Sequence, residues 1–256
     1  MPNVKQTKKL SKQPVTTMVA NNEMLVKVNS SNKITLITLA SLKAALLDGR
    51  SLNALEDGVL IMCHRKSDNY PVVYKPHKWT AQQNAGEVAD GVVVVEGGKL
   101  LVVAPTEAAS ALSWGSAKVA GGGVSTSDRV TAYSDMAGKS NTAAQITHSE
   151  LSGANYAPGF CAQYSRTNAN GNGLTAGKWW LPAMGEMMMV YANMTKINFA
   201  LSLIEDATQL QETAYWTSTE HSATIAWGLY LSNGYMFGNA KAPYASRVRP
   251  VSAFIL

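Results

Sequence analysis

The 256 residues are enough for one or two domains, and an apolar content of 46% supports a sizeable core. The formal net charge is +5, but Lys5, Lys8, Lys9 and Lys12 precede the first acidic residue, Glu23, so the tail supplies four of the five charges and the body is close to neutral. That distribution argues against a nucleic-acid-reading surface, and no apolar run is long enough to span a bilayer.

Residues 1–22 are polar and lysine-rich and read as a flexible basic tail. No apolar signal core follows Met1, which points to assembly in a reducing cytoplasm, with Cys63 and Cys161 as two ordinary thiols. Met24–Val28 and Ile34–Leu39 have strand character around the turn-forming Asn29-Ser30-Ser31-Asn32. Ser41 can cap a short helix ending near Gly49, and Val59–Met62 and Val72–Tyr74 add strands. Residues 23–87 thus read as a small β-rich region with too little apolar mass for independence, for which oligomerisation is the usual remedy.

A second domain, 88–256, opens with the hairpin Val92–Val95 and Leu100–Val103 around Glu96-Gly97-Gly98-Lys99. Gly121-Gly122-Gly123 lacks the spacing of a phosphate loop and reads as an ordinary loop. Helical segments are expected near Ala143–Ile146 and Asn155–Tyr164, with a surface loop from Arg166 to Thr175. Met184, Met187, Met188 and Tyr191 fall on one side of a helix as core filler, and Lys196–Ile204 forms another with Ile197, Leu201 and Ile204 inward.

The last forty residues carry the most information. Asn233-Gly234 between two apolar-rich runs predicts a type I′ hairpin in which Ser232 pairs with Tyr235 and Tyr230 with Phe237. Alternation then puts Gly228, Tyr230, Ser232, Tyr235 and Phe237 on one face and Trp227, Leu229, Leu231 and Met236 on the other. The second face is core; the first is either a second buried layer or a displayed surface.

Trp216-Thr217-Ser218-Thr219-Glu220, Ala226-Trp227, Ser232-Asn233-Gly234 and the closing Arg247-Val248-Arg249-Pro250-Val251 resemble the variable end of proteins diversified by retroelements. Upstream, Gly177-Lys178-Trp179-Trp180-Leu181-Pro182-Ala183-Met184-Gly185-Glu186 resembles the G-W-LP-x-GE element of the same family in Bacteroidetes and their phages, and Asp135–Thr142 resembles its D-x-x-GK-x-NT element. The resemblance spans roughly residues 92–254. It implies an α+β chain whose C-terminal domain is C-type-lectin-like, of the branch related to formylglycine-generating enzymes, behind a small β-rich N-terminal assembly region. It implies a phage tail-tip receptor-binding protein, carried on the virion and assembled in the host cytoplasm, whose variable region covers about 215–249. Its partners would be a host cell-surface protein or glycan, phage tail or baseplate proteins, and two further copies in a trimer, with no nucleic acid and no membrane insertion.

Retroelement diversification changes template adenines, so asparagine codons become many residue types. His221, Ala223, Ile225, Gly228, Tyr230, Ser232, Tyr235, Phe237, Gly238, Asn239, Ala240, Ala242, Pro243 and Tyr244 are the expected ligand-binding positions; Trp227, Met236 and Lys241 are unreachable from such a codon and fall where frame is wanted. Tyrosine among small neighbours suits an adaptable binding surface. No cofactor, metal or catalytic residue is expected. The acidic calcium loop of lectins is missing, no cysteine follows Cys161, and His64, His77, His148 and His221 show no metal spacing and read as surface or polar residues. The alternatives are a non-diversified structural or surface adhesion protein of the same fold and a degenerate formylglycine-generating-type enzyme. A reverse transcriptase and a template repeat beside the gene separate the diversified reading from the first alternative.

Overall fold

The structure is a computed structural model that describes residues 23–28, 33–38 and 57–253; the basic tail and the helix expected after Ser41 lie outside them. Two compact units divide the chain, Met1–Leu55 and Glu56–Leu256. In the first, β1 (Glu23–Val28) and β2 (Lys33–Thr38) pair antiparallel from Glu23 opposite Thr38 to Val28 opposite Lys33, as their strand character predicts.

The second unit combines helices and antiparallel sheets, an α+β arrangement. Its larger sheet has the strand order β14-β6-β5-β3-β4, formed by β3 (Gly58–His64), β4 (Pro71–Tyr74), β5 (Gly91–Glu96), β6 (Lys99–Val103) and β14 (Val251–Ser252). The turn between β5 and β6 is the expected two-residue one, with Gly97 at φ 55° and Gly98 at φ 74°, the positive values a primed turn requires.

The unit boundary falls earlier than the sequence reading placed it. β3 and β4, both before residue 88, belong to this sheet: β3 pairs with β5 from Gly58 opposite Val95 to Met62 opposite Gly91, and with β4 on its other edge. The cause lies in β5: Val92, Val93, Val94 and Val95 are all buried, so the strand must be covered on both faces and paired on both edges. Trp79, from the short helix α1 (Trp79–Asn84), is buried in the same core as Ile61 and Cys63. His64, expected to be a surface or polar residue, is a buried polar one, with its Nδ1 2.6 Å from Asp90 Oδ2. Cys63 and Cys161 are buried free thiols.

A second sheet, β10 (Ala214–Glu220), β11 (Ile225–Tyr230) and β12 (Met236–Ala240), lies between two apolar clusters. Tyr215, Trp227, Leu229, Leu231 and Met236 join the main core with the methionine helix α2 (Met184–Ala192), in which Met184, Met187 and Met189 are buried and Met188 is only partly so. Trp216 and Ala226, from the opposite face, join a smaller core with Trp114, Leu151, Cys161, Leu181 and Val248. Among the described residues no helix is long and apolar enough to cross a membrane.

Thr219 ties the start of α2 to the second sheet, and two buried carboxylates, Asp135 and Glu186, organise that junction. Thr219 Oγ1 accepts from Met184 N at 2.8 Å and donates to Asp135 Oδ2 at 2.7 Å, and Asn141 Nδ2 donates to the same oxygen at 2.9 Å. Glu186 accepts from Ala183 N at 2.9 Å, closing the first helical turn, and from Trp180 Nε1 at 3.1 Å. Burial pushes the Glu186 carboxyl up to about 7; the charge of Asp135 adds to that, and the two donated hydrogen bonds oppose it. Between the ordinary carboxylate range, about pH 4.3, and about pH 7, the folded chain therefore holds a proton that the unfolded chain has lost, and stability falls as pH rises through that window, by up to about 3 kcal/mol. Glu186→Gln should flatten this decline while preserving the bond from Ala183; thermal melts of both chains across the window check it, and parallel pH profiles would refute it.

Candidate ligand-binding face

The C-terminal hairpin keeps the predicted faces but not the predicted register. Gly228 pairs with Phe237 and Leu229 with Met236, and Tyr230 N donates to Tyr235 O at 3.0 Å. The connecting loop is therefore Leu231-Ser232-Asn233-Gly234, closed by Gly234 N donating to Tyr230 O at 2.8 Å, with only Gly234 at positive φ. A two-residue type I′ turn does not form. Leu231 is buried, and the longer loop lets it dock in the main core. The pairing shifts by two residues, an even number, so every side chain stays on its expected face.

On the Tyr side, Tyr230 and Tyr235 are 39% and 53% exposed. Their rings lie 6.4 Å apart, and Phe237 lies 4.9 Å from Tyr230. Phe237 is half-buried: its ring crosses Gly228 and reaches Trp216 at 6.0 Å. Gly228 is itself buried, and a Cβ there would collide with the Phe237 ring, so these two expected contact residues form the rim of the smaller core. Ser232 is exposed in the hairpin loop.

The remaining expected positions do not all share that face. Ile225, Gly238 and Ala240 lie on the Trp227 side, Ile225 and Ala240 being cross-strand partners and Gly238 opposite Trp227. The His221 ring packs on Trp227 at 4.7 Å, with its Nδ1 buried and, among the described residues, without a hydrogen-bond partner. Asn239 is half-buried, and its side chain accepts from Ala240 N at 2.9 Å. Ala223 is exposed in the turn before β11, which Ser222 Oγ organises by accepting from Ile225 N at 3.2 Å. After β12, Ala242 is half-buried, Pro243 is exposed with its carbonyl accepting from Ser113 Oγ at 3.2 Å, and Tyr244 is 55% exposed.

The frame beneath these residues holds polar anchors that sequence reasoning did not pair. Lys241 is buried; its ammonium forms an ion pair with buried Glu220, donates to Val119 O at 2.7 Å and Ala223 O at 3.0 Å, and lies 4.5 Å from the Trp114 ring centroid. Its backbone is held as well, N donating to Thr224 O and O accepting from Gly115 N, both at 3.1 Å. Glu220 also accepts from Gly121 N at 2.8 Å and Gly123 N at 3.2 Å, which makes the glycine-rich stretch a tethered loop. Burial pulls the Lys241 ammonium below its ordinary range, and Glu220 works in the other direction. A lysine isolated among small residues in a loop without periodicity was the available signal.

The closing segment adds a second buried cation. Arg249 is buried, donates to Ala104 O at 3.0 Å and Thr208 O at 2.9 Å, and lies 3.3 Å from Glu107, which also pairs with the partly exposed Arg247 and accepts from the Tyr215 hydroxyl at 2.7 Å. Arg247 contributes to the frame mainly through its backbone, exchanging 3.0 Å hydrogen bonds with Ala214 O and Trp216 N. Trp216 Nε1 and Trp227 Nε1 donate to Leu112 O and Thr126 O, so both indoles are fixed in orientation as well as buried. Among the described residues no group of three His, Cys, Asp or Glu side chains is arranged to hold a metal ion.

No protein-family model matches the chain, and no curated protein matches it.

Breaking the buried pair should be costly. Lys241→Met leaves Glu220 buried without its counter-ion and should lower stability by about 3–5 kcal/mol, whereas combining it with Glu220→Gln should recover much of that loss. Denaturant unfolding of the three chains measures both effects, and a single variant as stable as the parent would show that the pair does not hold the loop.

Proposed function

We propose that this chain is a phage tail-tip receptor-binding protein, or a close cellular analogue, whose second unit has a C-type-lectin-like fold and presents a retroelement-diversified surface to a host-cell protein or glycan. The observation that carries the reading is the separation of roles along one hairpin. Trp227, Leu229, Leu231 and Met236 are buried, whereas Tyr230 and Tyr235 project beyond the smaller core into solvent. Exposed tyrosine gives large contact area at little entropic cost, and such anchors dominate binding energy in protein interfaces. The ordered motifs from Asp135 to Val251 support the lectin-like assignment, as does the pairing of β14, the last described strand, with β6 of the larger sheet. In this reading the chain acts as a homotrimer joined to tail or baseplate proteins, and three weak sites combine into avid attachment.

Replacing Tyr230, Tyr235 and Tyr244 together by Ser should change stability by no more than about 1–2 kcal/mol, since exposed substitutions cost little, and should abolish adsorption to host cells. Light scattering on the full-length chain should give the mass of a trimer. A folded triple variant that still adsorbs would refute the binding face, and a monomer mass would remove the avidity argument.

A further inference from the structure

The exposed apolar side chains of the described residues are not confined to the hairpin. A short helix, Arg129–Tyr133, contributes Val130 at 75% and Tyr133 at 51% exposure, three residues apart and so on one side. The first residue of that helix joins it to the hairpin. The Arg129 guanidinium lies 5.5 Å from the Tyr235 ring centroid and 5.9 Å from that of Trp227, touching one ring from each face of the second sheet.

Arg129 is exposed, and among the described residues it has no ion-pair partner and donates no side-chain hydrogen bond. The adjacent carboxylate does not serve it: Asp128 accepts from Thr131 N and Thr131 Oγ1, both at 2.7 Å, as the helix cap. Two rings thus hold a planar cation whose N–H fork is unused, and the complement of such a fork is a carboxylate. The surroundings select the carrier of that carboxylate. Thr131 Oγ1 is spent on Asp128 and Ser134 Oγ donates to Val130 O at 2.9 Å, so these two hydroxyls are committed locally. The residue that follows the cation, Val130, is the most exposed large apolar side chain of the described residues, and it suits an apolar side chain better than the hydroxyls of a sugar ring.

We infer that Arg129, Val130 and Tyr133 form an extension of the binding surface, outside the variable region, that receives an Asp or Glu side chain of a protein partner together with an adjacent apolar residue. The inference rests on reading the hairpin as a binding face. It gives that face a constant element: Arg129 would fix the approach of the partner while the hairpin positions set its identity.

Panning the full-length chain with a displayed library of random peptides tests this. Enriched peptides should carry an acidic residue beside an aliphatic or aromatic one. As synthetic peptides they should bind Arg129→Gln about tenfold or more weakly, lose a similar factor when their acid is changed to its amide, and lose little more when both changes are combined. Arg129→Gln should melt like the parent, since the residue is exposed. A library that yields no peptide whose binding Arg129→Gln weakens overturns the inference, as does Arg129-dependent binding to an immobilised uronate-containing polysaccharide but to no peptide. Tyr230→Ser with Tyr244→Ser separates the two levels. Binding lost there but kept in Arg129→Gln leaves the hairpin face standing and removes Arg129, and the reverse pattern removes the hairpin face.

Discussion

Removing a lysine ammonium from water costs several kcal/mol, and the cost is offset only where a carboxylate and further acceptors surround the charge. Around Lys241 they come from separate stretches of chain: Glu220 ends β10, Val119 precedes the glycine-rich stretch, Ala223 lies in the turn before β11, and Trp114 covers the charge from below. Glu220 extends the arrangement to Gly121 and Gly123. Segments with no helical or strand periodicity therefore have a defined geometry because one ion pair would otherwise be left unsatisfied. The exposed residues beside it, Ala223, Pro243 and Tyr244, contribute nothing to that pair through their side chains; Ala223 takes part only through its carbonyl.

The second sheet sets where display is possible. Sandwiched between two cores, β10, β11 and β12 bury most of both faces, and side chains become free only where the smaller core ends, at Tyr230 and Tyr235. Tyr215 and Trp216, consecutive on β10, illustrate the arrangement: one enters each core, and each is anchored at its polar atom, to Glu107 and to Leu112 O. An aromatic pair at the margin of such a doubly packed sheet is presented rigidly, which limits the entropy lost on binding.

Patterns local in sequence were legible. Alternation gave the two faces of the C-terminal hairpin, and the glycine pair after Glu96 gave the turn between β5 and β6. What could not be read depended on partners distant along the chain. The buried run Val92–Val95 demanded a neighbour on each edge but did not name β3, so the unit boundary was placed too late. His64 and Asp90, and Lys241 and Glu220, looked like unremarkable polar residues until folding enclosed each pair. The dipeptide Asn233-Gly234 pointed to a tight turn; the gain from burying Leu231 outweighed that local preference. Reachability by codon singled out Lys241 as constant without indicating why, and it grouped Ile225, Gly238 and Ala240 with residues of the opposite face.

Gly228 ties the interior to the exterior at a single atom. Because the Phe237 ring occupies the space above it and the Tyr215 carbonyl lies close by, a Cβ placed at 228 would collide with both, and the backbone of β10 as well as the ring would have to move. The phenylalanine would swing outward, uncovering Trp216 and adding an aromatic to the solvent side. Glycine at position 228 therefore keeps the phenylalanine folded down over Trp216 and the smaller core covered.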